Sequence, residues 1–204
     1  MADSFMDALA RPKPVPGGGA AAAHGACVGL ALLEKIVQVE LQRSRDSSEV
    51  EWRNLLREVK KSSNTLLQLR DKDGRVYVRF AQAKTFGKGK TEVFAALQQA
   101  IECPIRIIKE ANEAVNFVAK TGMYCKVHLL SDLLVVCELL RGAISGAHRI
   151  AQANLSLMEA FPERSEYQDR LEQLFNDSRE LYESVVGVLV QRAGFGRAIS
   201  AWKC

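Results

Sequence analysis

The chain has 204 residues, 48% of them apolar, which suits one large domain with a packed core. Its 28 basic and 24 acidic residues leave a net charge of +4. This mild excess lacks the concentrated basic patch of a nucleic-acid-binding protein, and surface solvation explains it better than an anionic ligand does. We expect a single domain over residues 1–204 and no nucleic-acid partner.

The cysteine pattern indicates neither a disulfide framework nor a zinc site, because the count is odd and no CxxC pair occurs. The five cysteines are Cys27, Cys103, Cys125, Cys137 and Cys204. A buried or incidental thiol is the expectation for each. No run of eighteen apolar residues is free of charge, and no basic region precedes an apolar run at the start. We therefore expect no membrane span, no signal peptide and a reducing cytoplasm.

Proline and glycine shape the amino-terminal part of the chain. Segment 12–19 holds three prolines, which exclude a helix, and then three glycines, which allow backbone angles that other residues avoid. We predict a short helix capped by Ser4, then an extended arm that ends in a tight turn. From Ala20 the apolar spacing is helical, and one face consists of very small residues. These are Ala22, Ala26 and Gly29, and another helix should approach them closely.

A second long helix is predicted from about Ser48. Residues 71–74 have the composition of a turn. Apolar residues nevertheless resume in helical phase at Val76 and Phe80, which favours a continuous or only briefly disturbed helix.

The rest of the sequence predicts three more helices. The Gly-Lys-Gly-Lys segment 87–90 is a clear break, the next helix starts at about Thr91, and Pro104 should kink or restart it. The apolar segment 125–158 is predicted to be the most buried helix, and Pro162 opens a final amphipathic one. Strand-type alternation is absent, so the prediction is all-α: an up-and-down bundle of about five long helices.

The glycine turn is the first candidate ligand site. A Pro-Val-Pro segment precedes Gly17, Gly18 and Gly19, and a helix follows directly. Successive glycine amides at a helix amino terminus form a donor-rich pocket for an oxyanion or a polar ring. A tight turn that only lets the helix pack is an equally weighted alternative. The segment is not a P-loop, because no Gly-Lys-Ser or Gly-Lys-Thr ending follows.

Two aspartates and a lysine are further candidates. For Asp73, within the second long helix, an exposed carboxylate is the default. Ser131 and Asp132 lie in the most apolar segment, where a carboxylate needs a cavity, a subunit interface or a basic partner. A structural ion pair or cap is an equally weighted alternative there. Lys88 lies in the glycine-rich break, where solvation is usual but an anionic ligand tail would also be attracted.

The histidines suggest no metal set, because His24, His128 and His148 are far apart and form no His-x-x-x-His motif. His128 precedes Asp132 by four residues. We place the two on one helix face and favour a plain surface pair.

Several motifs carry a resemblance to a known family. They are Leu9-Ala10, Pro14-x-Pro16-Gly17-Gly18-Gly19-Ala20-Ala21-Ala22, Asp73-x-x-x-Tyr77, Lys88 at the end of a loop motif, Cys103-Pro104-Ile105, Ser131-Asp132-Leu133, and Gly146-Ala147 with Asn154-Leu155. Over almost its whole length the chain thus resembles the formiminotransferase-cyclodeaminase family, meaning the cyclodeaminase domain and the stand-alone methenyltetrahydrofolate cyclohydrolase.

The resemblance implies an all-α fold, a homodimer and a folate-binding cleft near the glycine turn. It implies hydrolysis of 5,10-methenyltetrahydrofolate to 10-formyltetrahydrofolate, or the formiminotetrahydrofolate cyclodeaminase reaction. A tetrahydrofolate derivative is then the substrate, and no separate cofactor or metal is needed. We expect the cyclohydrolase reaction first, because no transferase domain is attached.

The resemblance also suggests roles for residues. Asp132 is assigned to general acid–base catalysis, and Asp73 to orientation or a second proton transfer. The glycines 17–19, Ser131 and His128 belong to the substrate site, and Lys88 would engage the anionic glutamyl tail of folate.

Four residues depart from the family pattern. Ala20 stands where many relatives have serine or glycine, His128 replaces an asparagine, and Ile150-Ala151 replaces Asn-Val. These losses of polar groups support an alternative, in which the chain is a respecialised or catalytically inactive helical dimer that acts as a binding or interaction module.

Overall fold

The computed structural model describes residues 5–44, 48–87, 89–159 and 161–194. Within these ranges the chain forms helices and no strands. The helices are α1 (Phe5–Leu9), α2 (Gly18–Arg43), α3 (Ser48–Thr85), α4 (Lys90–Tyr124), α5 (Leu130–Ser156) and α6 (Arg164–Ala193), with a 3₁₀ turn at Val127–Leu129. Each long helix packs against the next in the chain. The predicted all-α bundle of five long helices is confirmed.

A face of small residues on α2 lets that helix approach α5 closely. A Cβ added to Gly146 of α5 would lie 3.4 Å from Cβ of Ala22, and one added to Gly29 would lie 3.4 Å from Cβ of Leu139. Residue numbers therefore fall along α5 as they rise along α2, so the two helices are antiparallel. The predicted close approach of another helix to this face is confirmed.

α3 is one continuous helix of 38 residues. Residues 71–74 stay helical, and Val76 continues the inward face with only 6% exposure. The continuous-helix prediction is confirmed, because the apolar phase outweighs the turn-like composition. The result is that Asp73 lies on a rigid element beside the amino end of α2.

α4 lies at the centre of the bundle. It runs through Pro104 without a break, so the predicted restart at that proline is wrong. It contacts all four other long helices and contains more buried residues than α5. The prediction that segment 125–158 is the most buried helix is therefore also wrong, because α5 leaves an outer face with Val135 51% exposed.

α6 packs on α4 and α5 and ends at Gly194, whose φ of 74° suits glycine. Arg192 in its last turn donates to the carbonyl of Gly122 and, at 2.6 Å, to that of Cys125. These acceptors lie at the carboxyl end of α4, where carbonyls lack partners within the helix. Arg192 thus joins the ends of two helices.

α2 is long and apolar enough to cross a membrane by length and composition alone, although 56% of its apolar stretch is buried inside the bundle. A core helix of a bundle has the same composition. Two valines on the outer sides of α2 and α5 are about half exposed, Val28 of α2 at 47% and Val135 of α5 at 51%.

Candidate active site

The glycine turn is closed by a carboxylate from another helix. Gly17 is the N-cap of α2 and has no side chain with which to cap it. The backbone N–H of Ala20 instead donates to Oδ2 of Asp73 at 2.9 Å, across 53 residues of sequence. The negative charge also suits the positive end of the α2 dipole.

Gly19 is the position where glycine is required. A Cβ at this residue would lie 2.6 Å from Cγ of Asp73, well inside van der Waals contact. The space beside the turn is therefore filled by the chain's own oxyanion. Of the two weighted alternatives, this supports a turn that serves packing, and it places the Asp73 carboxylate where a ligand oxyanion was considered.

The Asp73 carboxyl group is half-buried, so the default of an exposed carboxylate is wrong. Burial raises its pKa above the ordinary value, and the hydrogen bond from Ala20 opposes the rise. A carboxylic acid of this kind holds its proton closer to neutral pH, where it can act in proton transfer.

The buried thiols of the bundle are very weak acids. Burial, and then the charge of Asp73, raises the pKa of Cys103 to about 11. Burial likewise raises the pKa of Cys27 to about 11 and of Cys137 to about 12. With Cys125 also buried, four of the five thiols are the buried groups that we predicted, and Cys204 lies outside the described residues.

A groove rich in arginine adjoins the turn, with a volume of about 540 Å³. The arm forms one side of it, because Val15 lies against α3 where a Cβ on Gly74 would be 3.5 Å away. We define the arginine groove by the residues Phe5, Val15, Pro16, Arg70, Arg75 and Arg79. Asp71 also lines it and pairs with Arg70 at 2.8 Å, which leaves Arg75 and Arg79 as its available cations. The sequence interpretation missed it, although three arginines within residues 70–79 were the available signal.

Asp132 lies far from this site within one chain. The antiparallel register of α2 and α5 places it at the level of Ile36. At roughly 1.5 Å of rise per residue, that level is about 25 Å from Gly19. The predicted single cleft walled by the glycine turn, Asp73 and Asp132 is therefore wrong for an isolated chain, because the two acids occupy opposite parts of antiparallel helices.

Two other predicted site residues, Ser131 and His128, lie at the same end of the bundle as Asp132. Ser131 is exposed at the start of α5. His128 lies in the 3₁₀ turn before that helix, with Nε2 3.5 Å from Nη1 of Arg43, so the predicted helical pair with Asp132 is wrong. Lys88 lies outside the described residues, and its role stays a prediction.

The part of the chain that the structure describes contains no candidate metal site. No three histidine, cysteine, aspartate or glutamate side chains there come together in a group able to hold an ion. The residues described at the site offer acid–base chemistry at Asp73, with the positive charge of the arginine groove beside it.

Comparison with known proteins places this geometry in a family. The formiminotransferase-cyclodeaminase family model matches residues 1–174. The chain is 24% identical to mouse formimidoyltransferase-cyclodeaminase over 199 residues, which are 92% of this chain and 36% of that protein. It is 28% identical to the Dictyostelium discoideum protein of the same name over 155 residues, which are 74% of this chain and 29% of that one. The chain thus spans about a third of the length of these relatives.

A solved structure has the same fold. The crystal structure of formiminotetrahydrofolate cyclodeaminase from Thermotoga maritima matches with a TM-score of 0.82 and 18% identity, over 96% of each chain. At that identity the likeness concerns the fold. Since the family model covers most of the sequence, the chain belongs to the formiminotransferase-cyclodeaminase family.

Proposed function

We propose that this chain catalyses folate one-carbon chemistry of the cyclodeaminase type. The observation that carries the proposal is the Asp73 carboxyl group, half-buried at the amino end of α2 with a raised pKa. The fold supports it, because the similar structure from Thermotoga maritima is a formiminotetrahydrofolate cyclodeaminase. The mouse and Dictyostelium relatives carry the same activity in their names.

The reaction needs a proton that Asp73 can supply. A folate nitrogen attacks the formimino carbon, a new carbon–nitrogen bond forms, and the bond to the formimino nitrogen breaks. That nitrogen leaves as ammonia, which requires one proton beyond those on the two reacting nitrogens. A carboxylic acid whose pKa is raised by burial still carries this proton at higher pH than an exposed aspartic acid does.

The arginine groove supplies the charge that a folate tail needs. Arg75 and Arg79 lie one turn apart on α3, and both line the groove that the arm residues Val15 and Pro16 border. Guanidinium groups bind carboxylates through paired hydrogen bonds. We propose that the glutamyl carboxylates lie in this groove while the reacting carbon lies near Asp73.

Hydrolysis of 5,10-methenyltetrahydrofolate is the second candidate. The hydrogen bond from Ala20 favours the ionised form of Asp73. An ionised carboxylate would attract the cationic substrate and take a proton from the attacking water. The two reactions therefore use opposite protonation states of one group, and their pH profiles should differ accordingly.

We further propose that the chain is a homodimer through the outer face of α2 and α5. Val28 and Val135 are about half exposed on this face, and a Cβ on Gly25 would meet nothing within 4 Å. In a symmetric antiparallel pair, the amino end of α2 in one protomer would lie beside the amino end of α5 in its partner. Asp73 would then share a site with the partner's Asp132.

The activity test compares two substrates and a matched pair of variants. Ammonia release from formiminotetrahydrofolate measures the cyclodeaminase reaction, and loss of near-ultraviolet absorbance of methenyltetrahydrofolate measures hydrolysis. We expect Asp73→Asn to lower the active reaction by about a hundredfold or more, and Asp177→Asn, at an exposed position of α6, to leave it unchanged. Absence of both reactions and of folate binding would support the inactive binding module instead.

Mixing two inactive variants tests the shared site. Asp73→Asn and Asp132→Asn chains are combined after separate purification and allowed to exchange subunits. A shared site predicts that the mixture recovers about a quarter of the activity, since one site of each heterodimer is intact. No recovery despite exchange, or a monomeric mass in solution, would contradict the shared site.

A further inference from the structure

The short helix α1 rests on the bundle beside the arginine groove, and none of its residues is fully buried. It makes far less contact with the rest of the chain than any long helix does. α1 has five residues, whereas an isolated helix is only marginally stable in water even at roughly 12–15 residues. α1 is therefore helical only while it is docked on the bundle.

The ring of Phe5 docks α1 across the seam between α2 and α3. Its centroid lies 4.4 Å from that of the His24 imidazole on α2. On α3, the guanidinium carbon of Arg70 lies 5.1 Å from the Phe5 centroid, which is a cation–π contact. Phe5 and Arg70 both line the arginine groove, so the docked ring forms part of the wall of that groove.

The docked state leaves one polar atom of His24 unsatisfied. Among the described residues Nδ1 of His24 has no hydrogen-bond partner, and it is sealed from solvent. A buried polar atom without a partner opposes the burial. Because Phe5 covers this imidazole, undocking of α1 lets water reach it, and the docked state is thereby weakened.

A strap of exposed residues joins α1 to the rest of the chain. Residues 10–14 are all exposed. Val15 then fixes the arm on α3, where a Cβ on Gly74 would lie 3.5 Å from Cβ of Val15. α1 can therefore swing on this strap while the arm beyond it, and with it the glycine turn, stays in place.

We infer that α1 is a hinged lid of the arginine groove, latched by Phe5, and that a carboxylate-bearing molecule in the groove holds the lid shut. The inference rests on the proposed function, in which the groove receives the glutamyl carboxylates. Such a molecule pairs with Arg75 and Arg79 on α3 while its apolar part contacts Phe5, so it bridges the bundle and the lid. Lids that close over a bound molecule gate its entry and release.

Hydrogen exchange at the backbone N–H of Ala10 measures lid opening in the full chain. This N–H donates to the carbonyl of Met6 at 3.0 Å, and the bond lasts only while α1 is docked. We expect it to exchange faster than the amides in the middle of α4. Phe5→Ala should speed the exchange about three- to tenfold, because the ring contacts are lost. His24→Phe should slow it about fivefold or more, because a ring remains for Phe5 and the unsatisfied nitrogen is gone.

Matched controls separate the latch from general damage. Met6→Ala changes the neighbouring residue of α1, which is 60% exposed, and should leave exchange at Ala10 nearly unchanged. Phe5→Tyr keeps the ring and should behave as the wild-type chain does. Exchange in the middle of α4 should stay the same in all four variants, which shows that the bundle itself is intact.

N-(4-aminobenzoyl)-L-glutamate, which carries a ring and two carboxylates, is the probe for the molecule that holds the lid shut. It should slow exchange at Ala10 in the wild-type chain, and Phe5→Ala should weaken its binding severalfold. Unchanged exchange in both Phe5→Ala and His24→Phe would overturn the lid, as would probe binding that leaves exchange at Ala10 unaltered. Absence of probe binding would instead refute the tail site of the proposed function, and the two variants of the free chain would still decide whether α1 opens.

Discussion

Replacing Gly19 with alanine tests the contact on which the candidate active site depends. The added Cβ would lie 2.6 Å from Cγ of Asp73, so the carboxylate must move and its hydrogen bond to Ala20 must lengthen or break. Loss of a helix cap costs about 1 kcal/mol, and overpacking adds about 1–3 kcal/mol. Alanine normally recovers about 1 kcal/mol over glycine within a helix. The net expectation is a loss of about 1–3 kcal/mol.

Urea unfolding followed by circular dichroism measures this loss at a fixed protein concentration. Gly187→Ala is the matched control, because a Cβ there meets nothing within 4 Å, and it should be neutral or stabilising. Gly19→Ala made on an Asp73→Ala background should also become neutral or stabilising, since the carboxylate is gone. An equal loss of stability with and without Asp73 would refute the contact between them.

Three further predictions concern packing and pH. Arg192→Ala should lower stability by about 1–3 kcal/mol, because two carbonyls at the end of α4 lose a charged donor, whereas the exposed Arg179→Ala should have little effect in the same unfolding assay. Burial, and then the charge of a neighbouring arginine, lowers the pKa of His148. The unfolded chain therefore binds the proton first, and the free energy of unfolding should fall as pH drops through about 6.5. His148→Phe should flatten that dependence in unfolding measured at several pH values. Gly29→Leu should cost about 1–3 kcal/mol by overpacking, and an unchanged melting temperature would contradict the placement of α2 against α5.

The site residues differ in whether their neighbours in sequence could identify them. The role of Asp73 in proton transfer rests on family resemblance, since its own neighbours in sequence favour a solvated carboxylate. Its partner, the N–H of Ala20, lies 53 residues away, and no spacing rule connects the two. The burial of Glu40 was not predicted either, because a glutamate near a helix end has the pattern of a surface charge, and its partner, the N–H of Lys126, lies 86 residues away.

The sequence by itself determined the helices, the turn at residues 17–19, the break near residue 87 and the continuity of α3, because helical periodicity and the backbone limits of proline and glycine act over a few residues. Only the tertiary structure decided that Asp73 meets the amino end of α2 while Asp132 lies about 25 Å from it. The physical reason is register. Antiparallel packing of small residues on α2 against α5 sets which levels of the helices face each other, and a sequence pattern that repeats every turn leaves that choice open.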